Sequence, residues 1–141
     1  MRAGGATTVS RAYGLDGDSP GRIRRWAVEN LESLLPAECG QTGVIDEAEL
    51  IVSELLTNAL LTHCTRVVLD LCIDDERIRV EVFDDAPGRP TLLRAAVDDE
   101  RGRGIAIVAE LSSDWGVQPV EHGKKVWAEL LIHDDGTSAG A

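Results

Sequence analysis

From Ile23 onward the apolar residues recur at helical spacing, with Ile23, Trp26, Ala27, Leu31 and Leu34 on one stripe beside Asn30. Ser19-Pro20 supplies an N-cap and a proline suited to the first helical position, so the pattern predicts a helix over Pro20 to Leu35. Pro36, Gly40 and Gly43 then mark a connection. Asp46-Glu47-Ala48-Glu49 has the capping-box arrangement, which predicts a second helix from Asp46 to about Thr62. That helix carries Leu50, Ile51, Leu55, Ala59 and Leu60, widened by Val52, Leu56 and Leu61, and should be heavily buried.

At Arg66 the period changes to two. Val67, Leu69 and Leu71 alternate with Val68, Asp70 and Cys72, Asp74-Asp75 makes a turn, and Ile78, Val80 and Val82 resume the alternation: an antiparallel hairpin. Asp84 to Gly104, rich in Asp, Gly, Arg and Pro, reads as a mobile loop, and loops of that length are more often functional than idle. A short helix over Gly104 to Leu111, a short strand over Trp115 to Val117 and a last strand over Lys125 to Ile132 follow. Residues 1–18 read as loose apart from an edge strand at Thr7 to Tyr13, residues 19–133 as one domain, and residues 134–141 as a disordered tail. Helices that segregate to one face of a mostly antiparallel sheet give a two-layer α/β sandwich.

At 141 residues the chain is long enough to bury a core without disulfide or metal staples, and 43% apolar with 28% charged residues is the balance of a globular domain. The net charge of −11 opposes a phosphate backbone, so nucleic acid is not expected as a partner. The longest apolar stretch is interrupted by Glu54 and Asn58 and falls short of a membrane span, and Met1 to Gly5 leads into no apolar signal segment; a cytoplasmic location is expected. Cys39, Cys64 and Cys72 form neither a C-x-x-C pair nor a metal-ligand spacing with His, and read as reduced thiols.

Three places can carry chemistry. Glu54 and Asn58 stand four apart on the second helix and so share a face. They are either a polar stripe or a proton acceptor beside an amide oxygen able to ligate Mg²⁺. Asp84 stands where the hairpin leaves the sheet. It is either part of a solvated turn or a buried carboxylate that accepts from the 6-amino group of adenine and repels the carbonyl of guanine. Gly102-Arg103-Gly104 opens the third helix, either as plain turn glycines or as a phosphate-binding N-terminus. Trp26, Trp115 and Trp127 read as core aromatics, His122 and His133 as surface residues. Lys124 and Lys125 read as strand-edge charges, unless one faces a nucleotide or a partner.

The order of these signals along the chain resembles the GHKL ATPases. Glu54-Leu55-Leu56-Thr57-Asn58-Ala59 is similar to their N box, Asp84 to Gly88 to their first glycine box, and Gly102-Arg103-Gly104-Ile105 to their second. Trp115-Gly116 and Gly123 to Leu130 resemble the C-terminal part of actinobacterial anti-sigma-factor kinase-like proteins. The resemblance covers about Ser19 to Ile132. It implies a Bergerat ATP-binding fold in which Asn58 holds Mg²⁺ against the triphosphate, Glu54 is the general base and Asp84 recognises adenine. Gly88, Gly102 and Gly104 would let the lid close on ATP, with Arg103 against a phosphate. It further implies a homodimeric anti-sigma factor with serine/threonine kinase activity on an anti-anti-sigma (STAS-type) partner, or else a catalytically inactive regulator on the same fold. The chain departs from the pattern at Ala86, which stands at the first glycine position, and at His63, one residue later than the histidine that often follows an N box. Asp98-Asp99-Glu100 places carboxylates just before the second glycine box, which lowers the expected nucleotide affinity.

Overall fold

A computed structural model describes residues 6–14, 17, 19–35, 41–60, 64–86 and 103–132. The elements in chain order are β1 (Thr7–Gly14), α1 (Pro20–Leu34), α2 (Gln41–Leu60), β2 (Arg66–Ile73), β3 (Arg77–Asp84), α3 (Arg103–Leu111), β4 (Asp114–Val120) and β5 (Gly123–Leu131). The strands form one five-stranded sheet in the order β1-β2-β3-β5-β4, and every pairing is antiparallel. The two-layer α/β architecture read from the sequence is the one observed.

Alternation decides which side chains face the helices. Val67, Leu69, Leu71 and Ile73 of β2, Ile78, Val80 and Val82 of β3, and Val126, Ala128 and Leu130 of β5 are all buried. Above them lies α2, with Ala48, Ile51, Val52, Leu55 and Ala59 almost wholly enclosed; it packs on β3 and β5 and is flanked by α1 and α3. Each large apolar side chain enclosed there contributes about 1.5–3 kcal/mol. Tyr13 meets Trp26 edge to face at 6.4 Å, which fastens β1 to α1.

Local chemistry sets the ends of α1 as expected: the Ser19 hydroxyl accepts from the Arg22 N–H at 3.2 Å, and Pro20 takes the first helical position. The start of α2 differs from the sequence reading. The helix begins at Gln41, so Asp46 is an exposed interior residue and not an N-cap. The reason is burial. Val44 and Ile45, each 8% exposed, extend the apolar stripe one turn upstream, and enclosing them outweighs the roughly 1 kcal/mol cost of Gly43 within a helix.

Two further differences concern the last hairpin. The fourth strand runs from Asp114 to Val120 and includes Pro119, which the ladder tolerates because β4 is an edge strand and a missing N–H costs nothing there. Trp127 is not a core residue. Its position in β5 has the opposite parity from Val126 and Ala128, so it lies on the outer face of the sheet over Gly116, where a Cβ would stand 2.9 Å from the indole ring. The Arg79 guanidinium stacks 4.1 Å from the centre of the Trp127 rings, and it also pairs with Glu129 at 2.7 Å and Glu81 at 2.5 Å. Among the described residues no helix is long and apolar enough to cross a membrane.

Candidate functional site

The inward parity of β3 continues past Val82 to Asp84, and that of β5 runs back from Val126 to Lys124; the two residues oppose each other directly in the ladder. The consequence is a buried ion pair at the end of the sheet. Lys124 Nζ donates to Asp84 Oδ2 at 2.7 Å, with the carboxylate side chain fully enclosed and the lysine side chain 6% exposed. Asp84 Oδ1 accepts from the Ala86 N–H at 3.0 Å. The strand-edge reading of Lys124 is thus corrected: its charge is neutralised inside the fold. Lys125, of opposite parity, lies on the outer face near Phe83 and 3.7 Å from Glu81.

The turn leading into β5 closes tightly on this pair. Gly123 adopts φ of +132°, and a Cβ there would fall 1.8 Å from the Asp84 carbonyl oxygen, so only glycine fits. A hollow of about 330 Å³ at this end of the sheet, lined by Val68, Phe83, Val120 and His122 among others, opens on the outer face. Asp84 and Asp85 also line it, but Val68 and Phe83 have the outward parity of their strands and the Asp84 side chain has no exposed surface, so Asp84 meets the hollow through its backbone.

A short chain of contacts joins the pair to α2. The Cys64 thiol donates to the Ala59 carbonyl at 3.2 Å, immediately after Asn58. The next residue, Thr65, donates through its N–H at 2.8 Å and its hydroxyl at 2.5 Å to Asp85, which also accepts from the Arg66 N–H at 3.1 Å. The Thr65 hydroxyl, followed by those backbone N–H groups, holds the Asp85 carboxyl below its ordinary range. Partial burial, then the charges of Asp84 and Asp85, push the Cys64 thiol up to about 11, with Lys124 acting in the opposite sense. Cys64 should therefore react with iodoacetamide slowly at pH 8 and faster as the pH rises toward 11, with unfolding removing the protection. A mass-resolved alkylation rate measured on Cys64 against pH checks this, and a rate that levels off near pH 9 contradicts it.

Asn58 is 7% exposed, and its Nδ2 has no hydrogen-bond partner among the described residues. A buried amide nitrogen without an acceptor is costly, and it is the kind of group a ligand oxygen satisfies. Rotating the amide by a half turn would present its oxygen instead, as Mg²⁺ ligation requires. Glu54, one turn earlier, is half-buried. Among the described residues no cluster of three or more His, Cys, Asp or Glu gathers to hold a metal. One neutral oxygen with phosphates and water supplying the remainder suits Mg²⁺, so Asn58 fits the ion that the sequence implies.

Through Cys64, which bonds Ala59 and feels the charges of Asp84 and Lys124, the pair is tied to the C-terminal end of α2, the helix that carries Glu54 and Asn58. Arg103 and Gly104 open α3, which packs along α2 with Val108 enclosed. Gly88, Gly102, His63, His133 and the run Asp98 to Glu100 lie outside the described residues, as do Cys39 and the tail from 133 onward. His122 is exposed, as expected. Sequence reasoning missed the burial of Lys124 against Asp84 and the Cys64–Thr65 link; the parity of β5 is the available signal for the first.

Residues 18–130 match the family model described as histidine kinase-like ATPase domain. Among curated proteins, none matches the chain.

Proposed function

The chain belongs to the histidine kinase-like ATPase family, whose members bind ATP, and on that premise we propose that it is an anti-sigma factor that phosphorylates a serine or threonine of an anti-anti-sigma partner. The observation that best supports a working nucleotide site is the buried Asn58 amide nitrogen, which has no partner among the described residues and lies next along the helix to the carbonyl that Cys64 contacts. Asp84 would accept from the adenine amino group, Gly88, Gly102 and Gly104 would let backbone close on the nucleotide, and Arg103 would meet a phosphate. Asn58 would hold Mg²⁺, which supplies charge neutralisation at the triphosphate. Glu54 would take the proton of the attacking hydroxyl as that oxygen bonds to the γ-phosphorus and ADP leaves. A sigma factor is the proposed binding partner, and a homodimer the proposed assembly.

A second reading has its own observation. Ala86 stands where the family has a glycine, is itself buried, and donates its N–H to Asp84, while Lys124 engages the other carboxylate oxygen. A regulator that binds partners without catalysis fits such a preoccupied carboxylate. Transfer of labelled phosphate from ATP to candidate STAS-type partners separates the two readings. The kinase reading expects Glu54→Gln to lower that transfer by about 10²–10⁴-fold, the usual contribution of a general base, while ATP affinity changes little. Native protein that binds ATP and transfers nothing to any partner supports the second reading instead.

A further inference from the structure

Asn58 lies in the last turn of α2, which ends at Leu60. The carbonyls of a last turn have no partner within the helix, so such turns fray unless something outside fastens them. A metal ligand tolerates little of that motion, because a productive site holds its groups within about 0.5 Å. Whatever fastens this turn therefore bears on Asn58.

The fastening is a brace with two ends. At one end the Cys64 thiol donates to the Ala59 carbonyl, one residue beyond Asn58. At the other, the residues that follow Cys64 are clasped by a single carboxylate. Asp85 accepts from the Thr65 N–H at 2.8 Å, the Thr65 hydroxyl at 2.5 Å and the Arg66 N–H at 3.1 Å. Asp85 follows directly on Asp84, whose place is set by the β3–β5 ladder and by Lys124, so the clasp hangs from a fixed point of the sheet. Asp85 and Thr65 are themselves exposed. Water competes for exposed bonds, so the clasp adds little to the stability of the whole fold. Its effect is local: it selects one position for Cys64, and through Cys64 one position for the end of α2.

We propose that Asp85 is a positioning residue of the nucleotide site, which clasps Thr65 and Arg66, holds Cys64 against Ala59 and so keeps the Asn58 amide where it meets Mg²⁺. The proposal rests on the ATP-binding reading and adds to it a residue that touches neither nucleotide nor metal. An ionised carboxylate suits the task, because it is acceptor-only and takes all three donors at once. Alanine in its place offers none of these bonds.

The test is calorimetric titration of the full chain with ATP, once with Mg²⁺ and once with EDTA, and the quantity read is the ratio of the two affinities. Asp85→Ala is expected to lower that ratio by about three- to tenfold, the weight of one ordinary hydrogen bond, while the affinity in EDTA stays near native. Cys64→Ala, which cuts the brace at its other end, should do the same. Thr65→Ser keeps every donor and should keep the native ratio. A merely structural role would move both affinities together or neither, since unfolded chain binds ATP under neither condition. A native ratio in Asp85→Ala or in Cys64→Ala overturns the proposal and leaves the ATP site standing, as does an equal loss with and without Mg²⁺. Native protein that binds ATP but gains nothing from Mg²⁺ overturns the proposal together with the metal role of Asn58. Native protein that binds no ATP overturns the ATP-binding reading as well.

Discussion

Lys124→Ala is expected to lower folding stability by about 3–5 kcal/mol, a large share of what a domain of this size has to lose. The lysine ammonium is the counter-charge of a carboxylate with no solvent exposure, and truncation leaves that carboxylate enclosed beside the cavity of the lost side chain. The size of the effect reflects the broken pair and not the net worth of the intact one. Replacing both partners, as Asp84→Leu with Lys124→Met, should therefore recover most of the loss. Urea unfolding measures both: the midpoint should fall in the single variant with the slope unchanged, and return toward the native value in the double. A single variant within about 1 kcal/mol of native stability would mean that the pair is not enclosed as described.

Asn58→Ala is expected to act on binding and in the opposite sense on stability. Its amide nitrogen is buried with no partner among the described residues, so removing the amide relieves an unmet donor; folding stability should change little or rise slightly. If Asn58 holds Mg²⁺ against the triphosphate, the same substitution should weaken Mg²⁺-dependent ATP binding by about a hundredfold or more, since a lost metal ligand or charge-assisted contact costs on this order. Binding loss without stability loss distinguishes a ligand-directed residue from a structural one. A variant that binds ATP normally would assign Asn58 to the core alone.

Much of this site was legible once strand parity was taken seriously. Ile78, Val80 and Val82 set the inward phase of β3, and Asp84 keeps that phase, which is why its burial could be argued from sequence. The same reasoning applied to Val126, Ala128 and Leu130 places Lys124 inward and Trp127 outward. Composition pulled the other way, because lysine is usually exposed and tryptophan usually buried. Parity is the stronger constraint, since a strand cannot turn one residue over without turning its neighbours. The start of α2 differs from expectation for a related reason: Gly40 and Gly43 read as breakers by type, whereas Val44 and Ile45 decide the matter by what they bury. The link from Cys64 and Thr65 to Asp84 and Asp85 was not legible at all. Its thiol reaches back five residues to Ala59 and its hydroxyl and backbone groups reach Asp85 about twenty residues on, and no residue pattern announces either.

We propose that the enclosed end of the sheet, with α2, forms a nucleotide site that reads adenine. Its most direct test is calorimetric titration of the native chain with ATP in the presence and absence of Mg²⁺, with GTP as competitor and Asn58→Ala and Asp84→Ala as comparisons. The expected result is Mg²⁺-dependent binding of ATP that GTP does not displace and that both substitutions weaken by about a hundredfold or more. No binding at millimolar ATP, or binding that GTP displaces as well as ATP does, would contradict it.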